Sequence, residues 1–234
     1  MGNDEKPKYQ DIISFEQEGV MIIRNNKLKE LFYDEGLSPI IWALRDKPLT
    51  VKEILEKYKQ YVTISAEKMG LSGKKKDEKI AELERSEKTI YRYLKDLENA
   101  GLIAKAGQRV VIGKTATENL FARTARIFLL EDVKKGWWEA EDSKTILDRV
   151  TRVIGIDKGT DPPDAECLAS LMNEIEDVKS GEIFRLLDEH YEEISKIILE
   201  GSFKENDKLL GAINTIALLK NAEKYSKKLK ECIG

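Results

Sequence analysis

The stretch that follows Ser86 carries apolar side chains at helical spacing. Ile90, Leu94 and Leu97 fall at positions i, i+4 and i+7, which places them on one face of a helix. Ser86 is a preferred N-cap residue, and Gly101 suits the left-handed position just beyond a helix end. The polar side chains of the same stretch point away from the apolar stripe: Lys88, Tyr91, Arg92 and Lys95. The pattern therefore predicts one helix with a buried apolar face and a cationic outer face.

Two short strands are predicted directly after this helix. Residues 102–105 and 109–112 have the composition of strands, and residues 106–108 are predicted to form the turn between them. Arg109 would then lie at the tip of a hairpin. A helix with a cationic outer face that is followed at once by a small hairpin is the arrangement of a winged helix-turn-helix.

Earlier segments complete the predicted N-terminal fold. The first twenty residues are polar and are expected to be flexible, and Val20–Ile23 is predicted to pair with the hairpin as a short strand. Residues 37–45 are predicted to form the first core helix. Thr50 and Glu53 have capping-box spacing at the start of the second core helix.

Residues 62–85 separate the second core helix from Ser86, where an ordinary helix-turn-helix has about three or four residues. This insertion includes a basic run, Lys74, Lys75 and Lys76, which is either a solvated loop or a phosphate contact. Residues 77–85 either extend the next helix or form a separate short helix.

Residues 20–130 resemble the winged-helix transcriptional regulators of the ArsR-like type, in the form common in archaea. The matching stretches are VMIIRNNKLKELF, LSPIIWALRDKPLTVKEI, SEKTIYRYLKDLENAGLI and FARTARIF. The most specific part is the TIYRYLKDLENAGLI run, which in that family is the recognition helix and the start of the wing. The resemblance covers a little under half of the chain. It implies DNA binding as a dimer and the regulation of transcription, although the insertion departs from the family pattern.

The second half of the chain is predicted to be helical. Residues 117–135 have the apolar spacing of a helix, and the resemblance implies that this helix helps to form a dimer. Ser143–Ile154 is predicted to be an amphipathic helix, and residues 155–164, with two glycines and two prolines, to be a linker. Residues 164–234 contain no proline and carry three apolar stripes, which predict a compact helical bundle. The bundle would serve oligomerisation, effector sensing or both, and the sequence leaves these alternatives open.

The predicted fold class is mainly α. Residues 20–135 are predicted to form a winged helix-turn-helix domain with a three-helix core and a small β-hairpin wing, and residues 136–234 an all-helical C-terminal region. Charge divides in a similar way, because residues 21–130 carry 22 Lys and Arg against 15 Asp and Glu, whereas residues 131–234 carry 16 against 23. A basic segment beside an acidic one is expected of a nucleic-acid-binding domain joined to a domain that does not bind nucleic acid.

The first turns of a recognition helix reach base edges and phosphates in the major groove. Arg92 suits a bidentate contact with guanine, and Glu87 either accepts from a cytosine amino group or favours the helix N-terminus. Tyr93 is predicted to be tucked against the domain. The predicted DNA-binding residues on the helix, the wing and the basic run are Ser86, Glu87, Lys88, Thr89, Tyr91, Arg92, Lys95, Lys105, Arg109, Lys114, Lys74, Lys75 and Lys76. The predicted function is a sequence-specific DNA-binding transcriptional regulator that acts as a homodimer on double-stranded DNA with an inverted-repeat operator.

Two other functions are compatible with the same pattern. A winged helix also serves as a protein–protein interaction module of the transcription machinery without direct DNA readout. The cationic outer face argues against this alternative, because protein-binding faces are more apolar. An RNA-binding factor would need more exposed aromatic side chains for base stacking than this chain offers.

The sequence offers little for catalysis or for metal binding. His190 is the single histidine and has no cysteine near it, so no catalytic set, metal site or cofactor site is predicted. Residues 107–115 are not a nucleotide-binding loop, because five residues separate Gly107 from Gly113 where that loop has four.

A cytoplasmic protein without a membrane segment is predicted, because the sequence shows neither a signal peptide nor an apolar run of about 20 residues. Cys167 and Cys232 are predicted to be inert helix residues in a reducing compartment. Trp137 and Trp138 either line a pocket for a small-molecule effector or pack at a junction of helices.

Overall fold

A computed structural model describes residues 9–113, 116–131 and 136–233 of the chain. These residues are mainly helical with a small amount of β-sheet, which confirms the mainly α prediction. They divide into two compact units. One contains the described residues of Met1–Leu129 together with Ile197–Phe203, and the other contains those of Leu130–Lys196 and Lys204–Gly234.

The first unit packs helices against small sheets. In chain order the elements up to residue 130 are β1 (Tyr9–Ile13), β2 (Glu18–Ile23), α1 (Asn26–Leu31), α2 (Ser38–Ala43), α3 (Val51–Lys68), α4 (Gly73–Leu83), α5 (Glu87–Asn99), β3 (Ile103–Val111), β4 (Thr117–Arg123) and β5 (Ala125–Leu130). The central helix α3 packs against α2, α4 and α5. Fully buried side chains from these helices, such as Ile40, Ile54 and Leu94, form the core between them.

Local sequence signals correctly predict α5. The helix begins directly after Ser86 and buries Ile90, Leu94 and Leu97. Gly101 follows its end with a left-handed φ of 73°. The prediction for this stretch is therefore confirmed.

The predicted capping box begins α3. The backbone N–H of Thr50 donates to Glu53 Oε2 at 2.8 Å, and the backbone N–H of Glu53 donates to Thr50 Oγ1 at 3.4 Å. Because α3 continues to Lys68, the first part of the insertion at residues 62–85 is helical. Most of the remainder forms α4, so the alternative of a separate short helix is the correct one.

The strands differ most from the prediction. The turn predicted at residues 106–108 is wrong, because β3 runs through it with only a bulge between Lys105 and Gly107. The helix predicted from residue 117 is also wrong, because β4 and β5 occupy that stretch. A short apolar run fits either a helix or a strand, and here the backbone pairing of β4 with β3 favours the strand.

A three-stranded antiparallel sheet has the order β1-β3-β4, and β2 pairs with β5 in a two-stranded sheet. β2 confirms the strand predicted at Val20–Ile23, but its partner is β5 and not the hairpin. The expectation of a flexible start is wrong for Tyr9–Ile13, which lie along β3 as β1.

Gly107 allows β1 to approach β3. Its φ is 153°, and a Cβ at this position would lie 1.9 Å from the carbonyl oxygen of Ile12. A contact this short requires the β1 backbone to move. Glycine at residue 107 therefore marks the close approach of two strands and not a turn.

The second half of the described chain is helical. A 3-10 turn at Trp137–Glu139 precedes the helices α6 (Glu141–Lys158), α7 (Ala165–Glu200), α8 (Phe203–Lys220) and α9 (Ala222–Ile233). His190 interrupts α7 with φ −140° and ψ 39°. The linker predicted at residues 155–164 is shorter than expected, because α6 continues to a left-handed Gly159. Among the residues that the structure describes, no helix is both long enough and apolar enough to span a membrane.

A disulfide joins Cys167 in the first turn of α7 to Cys232 in the last turn of α9, with Cα atoms 5.4 Å apart. The prediction of inert cysteines is therefore wrong. Cys232 is buried with Leu147, Leu168 and Ala169 in the core of the second unit. The sequence gives no signal for this pairing, because 65 residues separate the two cysteines and the fold alone brings them together.

Ile197–Phe203 belongs with the first unit, although its neighbours in sequence belong to the second. The Phe203 ring lies edge-on to Trp42, with centroids 6.0 Å apart. The Arg123 guanidinium carbon lies 5.6 Å from the centroid of the same ring. The first unit is thus built from two separate parts of the chain.

We expect Gly107→Ala to destabilise the protein by about 2 kcal/mol or more, because β1 must move away from β3. Gly113→Ala is the control, since Gly113 also has a positive φ, 84°, but the described structure has no atom within 4 Å of its added Cβ. Urea unfolding followed by circular dichroism measures both variants. Equal destabilisation would show that backbone conformation, and not the approach of β1, requires glycine at residue 107.

Candidate nucleic-acid interface

The outer face of α5 carries a narrow stripe of polar side chains, the α5 stripe. Its members, Lys88, Arg92, Lys95 and Asn99, follow one another at spacings of four, three and four residues. At about 100° per residue they fall within about 60° of one another around the helix axis. All four are exposed. Asn99, which the sequence prediction did not include, extends the predicted face toward the end of the helix.

Capping fixes the start of α5. Ser86 Oγ accepts a hydrogen bond from the backbone N–H of Thr89 at 3.3 Å, and the hydroxyl oxygens of the two residues lie 3.1 Å apart. Ser86 and Thr89, which are both predicted DNA contacts, therefore also stabilise the start of the helix. They hold the first turn from which Lys88 projects.

α3 and β4 border the start of the α5 stripe. Lys52 of α3 forms an ion pair with Glu118 of β4 at 2.9 Å, and the hydrogen bond to Glu118 raises the pKa of Lys52. Smaller electrostatic interactions with Glu87 and Tyr91 of α5 raise the pKa of Lys52 further. Sequence reasoning missed Lys52, because its position depends on the packing of α3 against α5.

Tyr93 anchors the inner edge of α5. Its Oη accepts a hydrogen bond from Arg85 Nε at 3.2 Å, and this bond raises the pKa of Arg85. A Cβ at Gly36 would lie 2.8 Å from the same Oη, so the ring is packed closely against the segment before α2. The prediction that Tyr93 is tucked against the domain is confirmed.

The cations of the α5 stripe lack carboxylate partners. Lys88, Arg92 and Lys95 form no ion pair with any residue that the structure describes. Several other cations of the unit are paired: Lys52 with Glu118, Lys59 with Glu84 and Lys79 with Glu35. The unpaired charges of α5 are therefore available to an external anionic partner.

The basic run lies in the first turns of α4. Lys74 pairs with Glu78 at 3.7 Å and Lys76 with Glu67 at 2.7 Å, whereas Lys75 is exposed. The alternative of a solvated loop is wrong, because the run is helical. Two of its three charges are engaged in local pairs.

The three predicted wing contacts have different outcomes. Lys105 is exposed in β3, opposite Phe121 of β4. Lys114 lies outside the described residues. Arg109 is buried, with 7% of its surface exposed, so its prediction as a DNA contact at the wing tip is wrong. The hairpin turns between β3 and β4, beyond Val111, and Arg109 lies within the strand.

Arg109 is engaged in the fold itself. Its Nε and Nη2 donate to the two carboxylate oxygens of Asp11 in β1, at 2.6 and 2.8 Å. Its Nη1 lies 2.9 Å from Glu53 Oε1 in α3. The ring of Tyr9 covers the guanidinium, with its centroid 3.9 Å from Cζ. The side chain thus joins β1, β3 and α3.

These contacts change the pKa of each partner. The hydrogen bond from Arg109 lowers the pKa of Asp11 and outweighs the effect of burial. Burial raises the pKa of Glu53, but hydrogen bonds from Arg109 and Thr50 together bring it below its ordinary value. The hydrogen bond to Asp11 raises the pKa of Arg109. All three groups are therefore charged at neutral pH.

The second unit contains a cleft of about 590 Å³ that is lined by Trp138, Leu147 and Ala169. Of the two tryptophans predicted as candidates for an effector pocket, Trp138 belongs to this lining. The ring of Trp137 packs edge-on against it, with centroids 4.7 Å apart. Within the described part of the chain, no group of three or more His, Cys, Asp and Glu side chains is arranged to hold a metal ion.

Comparison of the chain with protein-family models and with curated proteins finds no match. Its function is therefore inferred from its own residues and their geometry.

Arg109→Met tests the contribution of the ion network to stability. Because the pKa values of Asp11 and Glu53 are lowered in the folded protein, the stabilisation is fully present above their ordinary pKa of about 4 and is lost as the pH falls through the lowered values. We expect the free energy of unfolding of wild type to exceed that of the variant by about 2–3 kcal/mol near pH 7, and the difference to shrink as the pH falls below about 4. Urea unfolding across this pH range measures the difference.

Lys52→Met is the control for that experiment, because it removes an exposed ion pair that water screens and that contributes little to stability. A difference between wild type and Arg109→Met that did not change with pH would show that Arg109 acts by packing and not by its charge.

Proposed function

We propose that this chain is a sequence-specific DNA-binding transcriptional regulator that acts as a homodimer, with α5 as its recognition helix. In this proposal α2, α3 and α5 are the core helices of a winged helix-turn-helix, and the β3–β4 hairpin is the wing. The α5 stripe carries the proposal, because it presents three cations that pair with no described carboxylate. The resemblance to the ArsR-like regulators supports the same function.

The chemistry of the α5 stripe suits the major groove. Arg92 presents a guanidinium that can contact two acceptors of one guanine edge. Lys88 and Lys95 lie one turn to either side, where they suit phosphates. Because phosphate contacts carry little sequence information, we expect Arg92 to supply most of the base discrimination.

α4 is the main departure from an ordinary helix-turn-helix. It stands where a short turn would join the second helix to the recognition helix. α3 nevertheless packs against α5. The hydrogen bond between Arg85 and Tyr93 ties the segment after α4 to α5. Packing and this bond, instead of a short turn, would set the angle of the recognition helix.

The alternative is a winged-helix module that binds another protein of the transcription machinery. The centre of a protein-binding face is depleted in charge and enriched in apolar side chains. The exposed side of α5 is instead charged, with three cations in the α5 stripe, one aromatic residue, Tyr91, and the carboxylates of Glu87, Asp96 and Glu98. This charged composition favours DNA over another protein as the partner of α5.

α6 offers a face for the homodimer. Exposed apolar side chains recur along one side of the helix: Ile146, Val150, Val153 and Ile156. Val153 is 64% exposed and Ile156 is 82% exposed. A contiguous row of exposed apolar side chains is typical of an interaction surface. The opposite side of α6 is already buried in the second unit through Leu147 and Thr151.

A second copy of α6 complements this face. In an antiparallel helix pair centred on Val153, Val150 meets the partner's Ile156 and Arg149 meets the partner's Asp157. Neither Arg149 nor Asp157 forms an ion pair with a described residue of its own chain. The two-fold contact thus matches apolar with apolar and opposite charges with each other. Such a dimer would bind an inverted repeat with half-sites about one helical turn apart.

Arg92→Ala/Lys95→Ala tests DNA binding by α5. We expect the double variant to bind mixed-sequence duplex more weakly, and the slope of log affinity against log salt to fall by about one, because Lys95 neutralises one phosphate whereas Arg92 contacts a base. Fluorescence anisotropy titrations at several salt concentrations measure both quantities. Lys227→Ala/Lys230→Ala removes the same charge from exposed positions on α9 and should bind like wild type. If folded wild-type protein failed to bind duplex at low salt, the protein-interaction module would be favoured.

Val153→Glu tests the α6 dimer. A buried, unpaired charge at the two-fold axis should convert the dimer to a monomer, which analytical ultracentrifugation measures. Leu219→Glu places the same charge at an apolar position of α8 that is 67% exposed, and it should remain dimeric. Charge reversal gives a second check, because Arg149→Asp and Asp157→Arg should each weaken the dimer and together restore it. A dimer unaffected by Val153→Glu would show that another surface is used.

A further inference from the structure

Two arginines of the first unit have buried nitrogen atoms without acceptors. Arg123 ends β4 and is 4% exposed, and Arg126 lies in β5. The Nε atoms of both are shielded from solvent and have no hydrogen-bond partner among the described residues. Neither side chain forms an ion pair within that part of the chain. Because a buried N–H donor without an acceptor is costly, the two Nε atoms make these side chains suited to bind an anion.

Neighbouring charges increase the positive electrostatic potential around Arg123. Burial, followed by repulsion from Arg126 and Arg45, lowers the pKa of Arg123 to about 10. Arg123 nevertheless remains protonated at neutral pH. Asp46 is the carboxylate that acts on Arg123, but it is also shared by Arg45 at 3.5 Å and Lys57 at 3.9 Å. One carboxylate therefore faces several cations.

Aromatic rings and a backbone contact hold Arg123 in place. Its Cζ lies 4.3 Å from the centroid of the Phe128 ring and 5.6 Å from that of Phe203. Gln17 Nε2 donates to the backbone carbonyl of Arg123 at 2.9 Å. The buried positive charge is therefore fixed by its surroundings, while its Nε still lacks an acceptor.

A cavity of about 240 Å³ lies beside Arg126 and Arg45, and Arg123 is not one of the residues that line it. Arg45, Lys47 and Arg126 line it, together with Gln17 and Asp46. Its volume is below the roughly 300–1,000 Å³ of sites for drug-sized ligands, so it suits a small ion. Guanidinium groups bind oxyanions through paired N–H donors, which Arg45 and Arg126 offer within an otherwise largely apolar lining.

We propose that this cavity binds a small oxyanion, with the side chains of Arg126 and Arg45 as its ligands and Arg123 as a fixed positive charge beside them. Phosphate, sulfate and small carboxylates share the required chemistry. None of the α5 stripe residues lines the cavity. Oxyanion binding is therefore measured independently of DNA binding, and the failure of one would not imply the failure of the other.

Thermal unfolding of the full chain in phosphate tests the site. A ligand that binds only the folded state raises the unfolding temperature as its concentration increases. We expect saturating phosphate to raise Tm by roughly 5 °C more than sodium chloride of the same ionic strength. The same measurement with sulfate and with acetate then identifies which shape of oxyanion the cavity prefers. A larger rise with sulfate than with acetate would assign a tetrahedral oxyanion, and the reverse order would assign a carboxylate.

Arg126→Met should abolish the additional rise in Tm, because it removes a ligand, and Arg123→Met should reduce it, because it removes the positive charge beside the cavity. Without phosphate, Arg123→Met should unfold at the same temperature as wild type or higher, because it replaces an uncompensated buried charge with an apolar side chain of similar length. Arg152→Met removes an exposed arginine of α6 that does not line the cavity and should keep the full response. A rise no larger than in sodium chloride, or one that survives in both variants, would overturn the proposal.

Discussion

The contact of the Arg109 guanidinium with Asp11 and Glu53 determines how the first unit is assembled. The two carboxylates come from β1 and α3, and they offset the cost of burying the cation because its Nε, Nη1 and Nη2 each face a carboxylate oxygen. Glu53 also completes the capping box of α3. One ion therefore links the edge strand, the central strand and the start of the central helix. Since α5 packs against α3 and leads directly into β3, the orientation of the α5 stripe depends on the same link.

The sheet strands of the first unit carry two buried arginines in opposite electrostatic situations. Arg109 has a full set of anionic partners, which raise its pKa. Arg123 has aromatic faces beside it and like charges nearby, and its pKa is lowered. The first arrangement is complete without a ligand and suits a structural role. The described chain supplies no salt-bridge partner for Arg123, so the second arrangement suits a binding role.

Features that depend on neighbouring residues were predictable from the sequence. The buried face of α5 and the cations Lys88, Arg92 and Lys95 follow from helical periodicity, which needs only a few adjacent turns. The role of Arg109 was not predictable, because Asp11 lies 98 residues away and burial depends on β1. The local sequence predicts a turn at Gly107 for the same reason, since the strand that approaches it is remote in sequence.

The segment Ile197–Phe203 limits how the chain can be divided. A fragment that ended at Leu129 would lack the ring of Phe203, which lies beside Trp42 and Arg123. Recombination at a single junction could not transfer the first unit intact to another protein. We therefore expect related chains to inherit the two parts of the first unit together. Changes at Phe203 should be correlated with changes at the residues that it contacts.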